Sequence, residues 1–527
     1  MEHGTDITVG SEADLDADAL HTVSVAHTAQ YLLATLGVPS AMYSQGSLFA
    51  RSPIDGSRIG KLHRSDYAGI DRTLQRAQDA AKAWNTVPAA RRGDYIRRIG
   101  DQLRNFHEPL AQLVTIETGK ALVEARREVS FAIACCDQAF ASTREIGQSA
   151  IRTERNGFWI QEVWLTLGAT GCISPFNRPL SHFAGLCFMS LVCGNSVVWK
   201  PSERAPLCAL AMQTILASAA GDSGEVPDGL VAVLFGGRDV GKVLAEDFRL
   251  RFLDVATSIA DGRLLNTKMA QSFTRGALTL GGNNAAIICR SADIAAAVNS
   301  VAASASLSGG QHAMCTRRLF VHTDIYDTFV AKLKSVFAHL RVGDPRQPST
   351  MVGPLIDSHG FETMQRTLTI ARNAGAIITG GARIDMPRHP GGYYVRPAIV
   401  EVESQGEVML RETLSPILFV TRFENLEDAL QMDAAAEAGM ASAIFTHSMA
   451  EVEEFVRVTH AGMVNVNTLH ASYEVEIAPA GARASGGGRL PSTASWKVFV
   501  QRCILTVNMG NKDGVPDLLG MTERGEI

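Results

Sequence analysis

Two stretches near the start of the chain show the periodicity of surface helices. In 70–84 and again in 91–106, apolar residues recur every three to four positions among arginine, aspartate and glutamine. This spacing gathers the apolar side chains on one stripe of a helix and leaves the polar ones on the other side. The pattern therefore predicts two amphipathic helices, from Ile70 to Trp84 and from Arg91 to Phe106.

From Trp164 onward the pattern changes to short apolar runs that end in glycine, proline or asparagine and are followed by another helical segment. The runs of the first half are L-G-A-T-G-C-I-S-P, N-S-V-V-W-K-P and L-V-A-V-L-F-G-G, and those of the second half are A-A-I-I-C, R-L-F-V-H, A-I-I-T-G-G, A-S-A-I-F-T and G-M-V-N-V-N. Apolar strands that alternate with helices are typical of a parallel, doubly wound sheet. The sequence predicts an α/β protein with two such domains.

Two further segments, 157–167 and 498–507, are rich in β-branched and aromatic residues that alternate with polar ones. This period of two indicates strands with one exposed face. Because the segments flank the two predicted domains, we expect them to form an intersubunit arm. An ordinary edge hairpin is the alternative interpretation.

The composition excludes several classes of protein. With 46% hydrophobic and 20% charged residues in a chain of 527, the protein is expected to be soluble and globular. A net charge of -5 and a pI near 6.3 leave no basic surface for nucleic acid. The most apolar stretch, Phe183 to Gly194, is too short to span a membrane. We expect a small-molecule or protein partner, with no nucleic acid and no membrane.

Cysteine usage and the first residues indicate the compartment. The first fifty residues contain no lysine or arginine and six acids, which is unlike a secretory or mitochondrial leader. The nine cysteines form no C-x-x-C pair, so neither a zinc site nor a disulfide framework is expected. These features predict a cytoplasmic protein with reduced thiols and no metal.

Seven runs occur in an order that resembles the aldehyde dehydrogenase superfamily, across roughly residues 35–510. They are E-T-G-K at 117–120, G-C-I-S-P-F-N-R-P at 171–179, G-N-S-V-V-W-K-P-S-E at 194–203, T-L-G-G-N-N-A at 279–285, G-G-Q-H-A-M-C-T-R-R-L-F at 309–320, E-T-L-S-P at 412–416 and G-M-V-N-V-N at 462–467. Together with S-G-G-G-R at 485–489 and S-W-K at 495–497, the L-G-G-N-N-A run resembles the branch that oxidises α-aminoadipic semialdehyde and its cyclic imine.

The resemblance implies a Rossmann-like cofactor domain, an α/β catalytic domain, a β oligomerisation arm and an active site between the two domains. We expect the dinucleotide-binding domain at 31–145 and 168–279, the catalytic domain at 280–485 and the arm at 146–167 and 498–510. Residues 1–30 are expected to be a mobile extension and 511–527 a tail. A homo-oligomer, dimer or tetramer, and a small aldehyde, semialdehyde or imine ligand are implied.

The two catalytic groups of the family are missing from the positions that match them. The family's nucleophile stands three residues after the second glycine of its motif and four before the arginine pair, and both counts lead to Ala313. The general base of the family's Glu-Leu-Gly-Gly run is Thr279 here. A neutral hydroxyl has no useful proton affinity near neutral pH, so Thr279 cannot replace a carboxylate.

Other positions retain the family's residues. Asn177 matches the oxyanion-hole amide, although an asparagine there could simply cap a turn. Lys200 and Glu203 match groups that hold the adenine ribose and favour NAD over NADP, and Glu412 matches the carboxylate that holds the nicotinamide ribose. A surface lysine and a helix-start acid are the alternatives for the first two. These matches make NAD the expected cofactor.

The phosphate-binding turn of the family reads V-A-T-S here and ends at Ser258. Thr257 replaces a glycine in this turn, and a β-branched residue would crowd the phosphates. We therefore expect NAD to bind, but weakly.

Two residues of the nucleophile run could compensate for the lost groups. Cys315 lies two residues beyond the expected position, about 6.6 Å along an extended chain, whereas attack needs reacting atoms about 3 to 3.5 Å apart. A buried structural cysteine is the alternative. His312 could act as a base or merely line the pocket, and it replaces an arginine that in the semialdehyde branch helps to hold the substrate carboxylate.

Three hypotheses follow. The first is a protein of this fold without the standard thioester-forming oxidation, either noncatalytic or using the cleft for other chemistry. The second is an active NAD-dependent semialdehyde dehydrogenase that uses Cys315. The third is a pseudoenzyme whose pocket senses NAD or an aldehyde.

Overall fold

The computed structural model describes residues 24–147, 149–154, 157–221, 224–469, 481–488 and 495–509. The helices are α1 Val25–Thr35, α2 Tyr67–Asn85, α3 Ala89–Asn105, α4 His107–Thr118, α5 Leu122–Ser142, α6 Ser181–Val192, α7 Pro206–Ala220, α8 Arg238–Glu246, α9 Ile259–Gln271, α10 Ile294–Ser306, α11 Thr323–His339, α12 Ser358–Asn373, α13 Glu407–Leu410, α14 Leu426–Ala434 and α15 Met449–Val458. The two periodic stretches predicted as helices lie in α2 and α3.

The strands of the first half are β1 Leu48–Arg51, β2 Arg58–Leu62, β3 Ser149–Ile151, β4 Phe158–Thr166, β5 Ala169–Ile173, β6 Ser196–Lys200, β7 Val231–Val233, β8 Leu250–Ala256 and β9 Arg275–Thr279. Those of the second half are β10 Asn284–Ile288, β11 Thr316–His322, β12 Ile377–Thr379, β13 Ala398–Glu401, β14 Ile417–Phe423, β15 Ala438–Gly439, β16 Ala441–Phe445, β17 Met463–Val466, β18 Ala482–Arg483, β19 Gly486–Gly487 and β20 Val500–Asn508.

The first large sheet has six strands in the order β19-β9-β8-β5-β6-β7. All pairs are parallel except β19 with β9. Every residue of β5 and β6 is buried, as expected for central strands covered by helices on both faces. The chain builds the sheet outward from β5 to β7 and then returns to place β8 on the other side of β5. This reversal leaves a crevice at the carboxyl ends of β5 and β8, where open α/β sheets bind ligands.

The second large sheet has seven strands in the order β12-β13-β14-β11-β10-β16-β17. Its core strands are parallel, which confirms the predicted α/β class with two parallel sheets. One strand differs from expectation: the A-I-I-T-G-G run forms β12, an antiparallel edge strand. After β12, Gly380 and Gly381 adopt φ of 87° and 81°, and no helix crosses between β12 and β13. Without a crossover the two strands can only pair antiparallel.

A separate three-stranded antiparallel sheet has the order β20-β4-β3. It pairs Val500–Asn508 with Phe158–Thr166 along their whole length, so the two segments predicted as strands lie side by side. The side chains of Trp159, Leu165, Ile504 and Leu505 are exposed on this sheet. Its place outside both large sheets leaves these apolar groups without cover in the monomer.

The prediction that residues 1–30 form a mobile extension is wrong at its inner end. Helix α1 begins at Val25, and Ser24 caps it by accepting a hydrogen bond from the His27 N–H at 3.3 Å. Val25 and Ala29 are buried in the main core. The acids that suggested an extension end at Asp18, whereas the apolar spacing of 25–33 is already helical. Residues 1–23 and the predicted tail at 511–527 lie outside the described residues.

Within the described part of the chain, no helix is both long and apolar enough to cross a membrane. The most apolar stretch, from Phe183, forms most of α6 and is buried among the other helices of the first domain. The described residues also hold no group of three or more metal-ligating side chains.

Glu117 holds the start of α7 from the end of α4. Its carboxylate accepts hydrogen bonds from the N–H groups of Leu207 at 2.6 Å and Cys208 at 2.7 Å, while the residue before α7, Ala205, offers no side-chain cap. Burial nevertheless raises the pKa of Glu117 to about 7, against the lowering effect of these hydrogen bonds. The folded protein therefore keeps a proton on Glu117 at pH values where the unfolded chain has lost it.

This proton makes stability depend on pH in a defined direction. Because the folded pKa is raised, the contribution is present below the ordinary pKa of a glutamate and is lost as pH rises through about 7. Compared with Glu117→Gln, the wild type should lose up to about 3 kcal/mol between pH 5 and 8. Thermal unfolding midpoints of both proteins at pH 5, 6.5 and 8 measure this. Glu453→Gln, at an exposed position, is the control, and parallel pH curves for Glu117→Gln and wild type would contradict the assignment.

Candidate functional site

A cavity of about 470 Å³ lies at the carboxyl ends of β5 and β8, between the two large sheets. Its place is the one that the reversal in strand order predicts. Eight of the nine residues proposed from sequence line it: Asn177, Lys200, Glu203, Ser258, Thr279, His312, Ala313 and Glu412. Cys315 is not among its lining residues. The structure therefore brings the matched motifs together and separates from them the one candidate thiol.

The loop that carries Ala313 has an unusual backbone. Ser308, Gly309 and Gly310 have φ of 50°, 64° and 71°, so three successive residues are left-handed. A Cβ at Gly310 would lie 2.3 Å from the Pro416 nitrogen, which only glycine avoids. The buried Glu124 carboxylate holds the loop by accepting bonds from the Ser308 N–H at 3.1 Å and hydroxyl at 2.7 Å.

Two side chains then fix the residues that follow. The Asn284 amide donates to the Ala313 carbonyl at 2.8 Å and to the Cys315 carbonyl at 3.0 Å. The buried Arg317 guanidinium donates to the Ser415 carbonyl at 2.6 Å and to the carbonyls of Gly310 and His312. With both ends of the segment held, Ala313 lies in the wall of the cavity.

Cys315 is held on the far side of the same loop. Its side chain is fully buried, and the thiol lies 3.4 Å from the Leu307 carbonyl, to which it donates. Burial raises the pKa of the thiol, although Arg317 and the hydrogen bond from the His312 segment oppose the rise. The alternative nucleophile is thus neutral, buried and directed into the loop's own backbone.

Asn177 stands opposite Ala313 and is tied to its loop. Its side-chain Nδ2 donates to the Gln311 carbonyl at 2.5 Å, so the amide reaches across the cleft rather than capping its own turn. Its backbone carbonyl accepts a hydrogen bond from the Lys120 ammonium at 2.7 Å. Lys120 also pairs with the Glu128 carboxylate, and both side chains are buried. A buried ion pair of this kind fixes position, because breaking it leaves an uncompensated charge.

Glu128 extends this network to α6. Its other carboxylate oxygen accepts the N–H groups of Leu180 at 2.9 Å and Ser181 at 3.0 Å, at the start of α6. These supporting roles of Lys120 and Glu128 were not assigned from sequence. Lys120 ends the E-T-G-K run, but no local signal marked Glu128, because it follows the charged residues Glu124, Arg126 and Arg127.

Thr279 ends β9 at the cavity wall, and the nearest carboxylate to its run is that of Glu412. Glu412 accepts a hydrogen bond from the Gly282 N–H at 2.9 Å and lies so close that a Cβ on Gly281 would be 1.8 Å from its Oε2. Burial raises the pKa of Glu412, while Arg317 and the Gly282 N–H oppose the rise. Gly281 is therefore needed for the close approach of this carboxylate, whereas Gly282 is needed because a Cβ there would lie 2.3 Å from the Ala313 carbonyl oxygen.

His312 is buried beside Ala313. Its Nδ1 accepts a hydrogen bond from the Met314 N–H at 3.1 Å. In the neutral ring this contact leaves Nδ1 unprotonated and puts the proton on Nε2. Nδ1 is occupied by the loop backbone and cannot also accept a proton from a ligand.

The other end of the cavity carries the residues expected to bind a dinucleotide. Lys200 ends β6 and its ammonium lies 3.4 Å from the Glu203 carboxylate. Burial lowers the pKa of Lys200, and Glu203 opposes this. Ser258 is the N-cap of α9 and accepts a hydrogen bond from the Asp261 N–H at 3.2 Å. The position of Lys200, Glu203 and Ser258 at one end of the cavity is compatible with a bound dinucleotide.

The phosphate end of the cavity fits less well. Thr257 lines it directly before the N-terminus of α9, where phosphates commonly bind. Asp261, in the first turn of α9, also lines it and pairs with Arg238 at 3.1 Å. A carboxylate here competes with a phosphate for the same positive end of the helix. Sequence reasoning identified Thr257 but missed Asp261 and Arg238, whose proximity depends on the packing of α8 beside α9.

Comparison with known proteins gives a consistent result. Residues 43–503 match the model of the aldehyde dehydrogenase family. The chain is 33% identical over 464 residues to aldehyde dehydrogenase family 7 member A1 of Malus domestica, covering 88% of this chain and 90% of that protein. It is 32% identical over 460 residues to alpha-aminoadipic semialdehyde dehydrogenase of Bos taurus, covering 86% and 84%.

Solved structures agree. PnpE from Pseudomonas sp. WBC-3 has a TM-score of 0.83 at 29% identity, covering 88% of this chain and 94% of that one. PnpE has also been solved in complex with nicotinamide adenine dinucleotide, with a TM-score of 0.84. Lactaldehyde dehydrogenase from Escherichia coli has a TM-score of 0.83 at 26% identity, covering 88% and 96%.

The burial of Cys315 predicts how its thiol reacts. With iodoacetamide at pH 7.5, Cys315 of the native protein should be alkylated at least about tenfold more slowly than Cys315 of guanidinium-unfolded protein, because burial shields the thiol and raises its pKa. Peptide mass spectrometry of timed samples measures both rates. The unfolded protein is the control for the intrinsic reactivity of the thiol. Equal rates of labelling in the native and unfolded protein would contradict the geometry.

Proposed function

Since the chain belongs to the aldehyde dehydrogenase family, we propose that it has kept the ligand-binding cleft of the family and lost the family's oxidation through a covalent thioester. The observation that carries this proposal is that an alanine, Ala313, lines the cavity at the position of the nucleophile, whereas Cys315 does not line it and donates its thiol to the Leu307 carbonyl. The protein would bind NAD and a small aldehyde, semialdehyde or imine without oxidising it by the standard route.

The missing steps follow from the residues that remain. Asn177 could donate its amide to the carbonyl oxygen of a ligand, and this would polarise the carbonyl carbon. Attack on that carbon needs a thiolate, and a methyl group can neither form nor release an acyl bond. Hydrolysis of a thioester needs a base at position 279, where a threonine hydroxyl stands. Losing both groups removes two successive steps rather than weakening one.

Weak NAD binding is supported by different residues. Bound NAD would supply a hydride acceptor; Lys200, Glu203 and Glu412 would hold its riboses, and the carboxylate of Glu203 would disfavour a 2′-phosphate. Thr257 and Asp261 stand where its phosphates would approach α9. We propose that the ribose groups retain the cofactor and that the phosphate end reduces its affinity.

The alternative function is an active NAD-dependent semialdehyde dehydrogenase that uses Cys315. It would need the thiol to leave the Leu307 carbonyl and turn through the loop that Asn284 and Arg317 hold. His312 does not assist it, since its Nδ1 already accepts the Met314 N–H. These contacts favour the noncatalytic proposal, within which sensing of NAD or aldehyde, a scaffolding role and non-oxidative chemistry on a carbonyl or imine are all open.

We further propose a homo-oligomer, dimer or tetramer, in which a second copy covers the exposed apolar side chains of β4 and β20.

The cysteines are all free thiols, and all but Cys503 are buried. This supports a reducing compartment such as the cytoplasm.

Restoring the two lost groups tests the proposal. The wild type should produce no NADH from an aliphatic semialdehyde, whereas Ala313→Cys with Thr279→Glu should produce it readily. Ala313→Cys alone should be slower than the double variant by about a hundredfold or more, because hydrolysis lacks its base. Absorbance at the NADH band measures all three. NADH formation by the wild type that is lost in Cys315→Ser would establish the alternative instead.

The phosphate end is tested separately through affinity for NAD. Thr257→Gly should tighten binding by about tenfold, because the turn regains close approach to the phosphates. Thr257→Ser, which removes only the methyl branch, should bind NAD with an affinity between those of the wild type and Thr257→Gly. Isothermal titration with NAD measures the three Kd values, and unchanged or weaker binding by Thr257→Gly would show that Thr257 does not limit the cofactor.

A further inference from the structure

Among the described residues, one cation that lines the cleft has no carboxylate partner. Four lining residues are cationic: Arg178, Lys200, Arg204 and Arg238. Lys200 pairs with Glu203, Arg204 with Asp357 at 2.9 Å and Arg238 with Asp261. Arg178 has no carboxylate within 4 Å among the described residues.

The position of Arg178 is defined by the same loop as Asn177. It follows Asn177 between β5 and α6, and its Nε donates to the Ser181 hydroxyl at 3.1 Å. This contact uses one of five N–H groups of the guanidinium. The remaining four, on the two Nη atoms, meet no acceptor in the described part of the chain. The side chain is therefore anchored at one edge, while its fork is left for a ligand.

Groups packed behind Arg178 do not cancel its charge. Asp254 on β8 and His182 on α6 face each other there, with 3.5 Å between the carboxylate and Nε2. Burial raises the pKa of Asp254 to about 7, against the lowering effect of Arg178, and burial and Arg178 together lower the pKa of His182 to about 3. Below about pH 7 this buried pair is therefore mainly uncharged.

We propose that Arg178 binds an anionic group of the cleft's ligand and selects a small carbonyl compound that bears a carboxylate or phosphate. This inference rests on the proposed function of the same cleft and names the ligand class that enters it. The guanidinium fork matches two oxygens of such a group in a bidentate contact.

Asn177 and Arg178 both line the cavity, so one small molecule can contact both side chains. With its carbonyl at Asn177, the ligand would carry its anion a few bonds away at Arg178. Arg178 would thereby take over anion binding from position 312, where a buried histidine with an occupied Nδ1 stands.

Binding of unreactive ketones tests this without any turnover. Titrations of the full chain would use 5-oxohexanoate, 4-oxopentyl phosphate and the neutral 2-hexanone. The wild type should bind at least one anion about tenfold or more tightly than 2-hexanone, and the tighter anion identifies the group. Arg178→Gln should lose this preference, and Arg178→Lys should retain part of it. Binding of 2-hexanone should stay within threefold in all variants.

Arg204→Gln is the matched control, because it removes the same charge from the same cleft. Its preference for the anion should stay within threefold of the wild type, since Arg204 is already paired with Asp357. Equal binding of anions and 2-hexanone by the wild type would overturn the proposal, as would an equal loss in Arg204→Gln. If Arg178→Gln does not fold, the proposal is tested by the preference of the wild type for the anions over 2-hexanone and by the reduced preference of Arg178→Lys. NADH formation is not involved, so failure here is separate from failure of the proposed function.

Discussion

The backbone of the loop from Ser308 to Gly310 determines what the cleft can do. Three left-handed residues in succession turn the chain sharply, and Glu124, Asn284 and Arg317 hold the turn from three sides. Held in this way, the loop places residues 311 to 314 along the cavity and keeps the Cys315 side chain out of it. The contact that holds position 313 is to its backbone carbonyl, so the loop would keep the same geometry with a cysteine or an alanine there. A thiol two residues later is not equivalent, because it lies on the other side of the same turn.

A set of buried charges supports this loop and the opposite wall of the cleft. Glu117, Lys120, Glu124 and Glu128 come from a short stretch at the junction of α4 and α5, and each contacts a different loop or helix start. Lys120 and Glu128 keep Asn177 opposite Ala313. Retention of this costly network explains how the cleft can keep its shape after losing its nucleophile and base: none of the supporting contacts involves the side chains of residues 279 or 313.

Much of the fold could be predicted because it depends on local patterns. Buried parallel strands are apolar throughout, as in β5 and β6, and amphipathic helices show a period near 3.6, as in α2 and α3. The antiparallel direction of β12 could not be predicted, because a short apolar run looks the same in either orientation. Its direction depends on the connection to β13, which contains no helix. In the site, motif matching located eight residues that line one cavity. It did not find Asp261, Arg238 or Arg178, whose significance depends on which charges the packing of the helices brings together.

The central claim is that no sulfur reaches a bound carbonyl. Intact-protein mass spectrometry after incubation with NAD and an aliphatic semialdehyde tests it directly. If Cys315 did attack and hydride transfer followed, the thioester would accumulate, because Thr279 cannot activate water to hydrolyse it. We expect the mass of the protein to stay unchanged. A stable acyl adduct that maps to Cys315 would contradict the account.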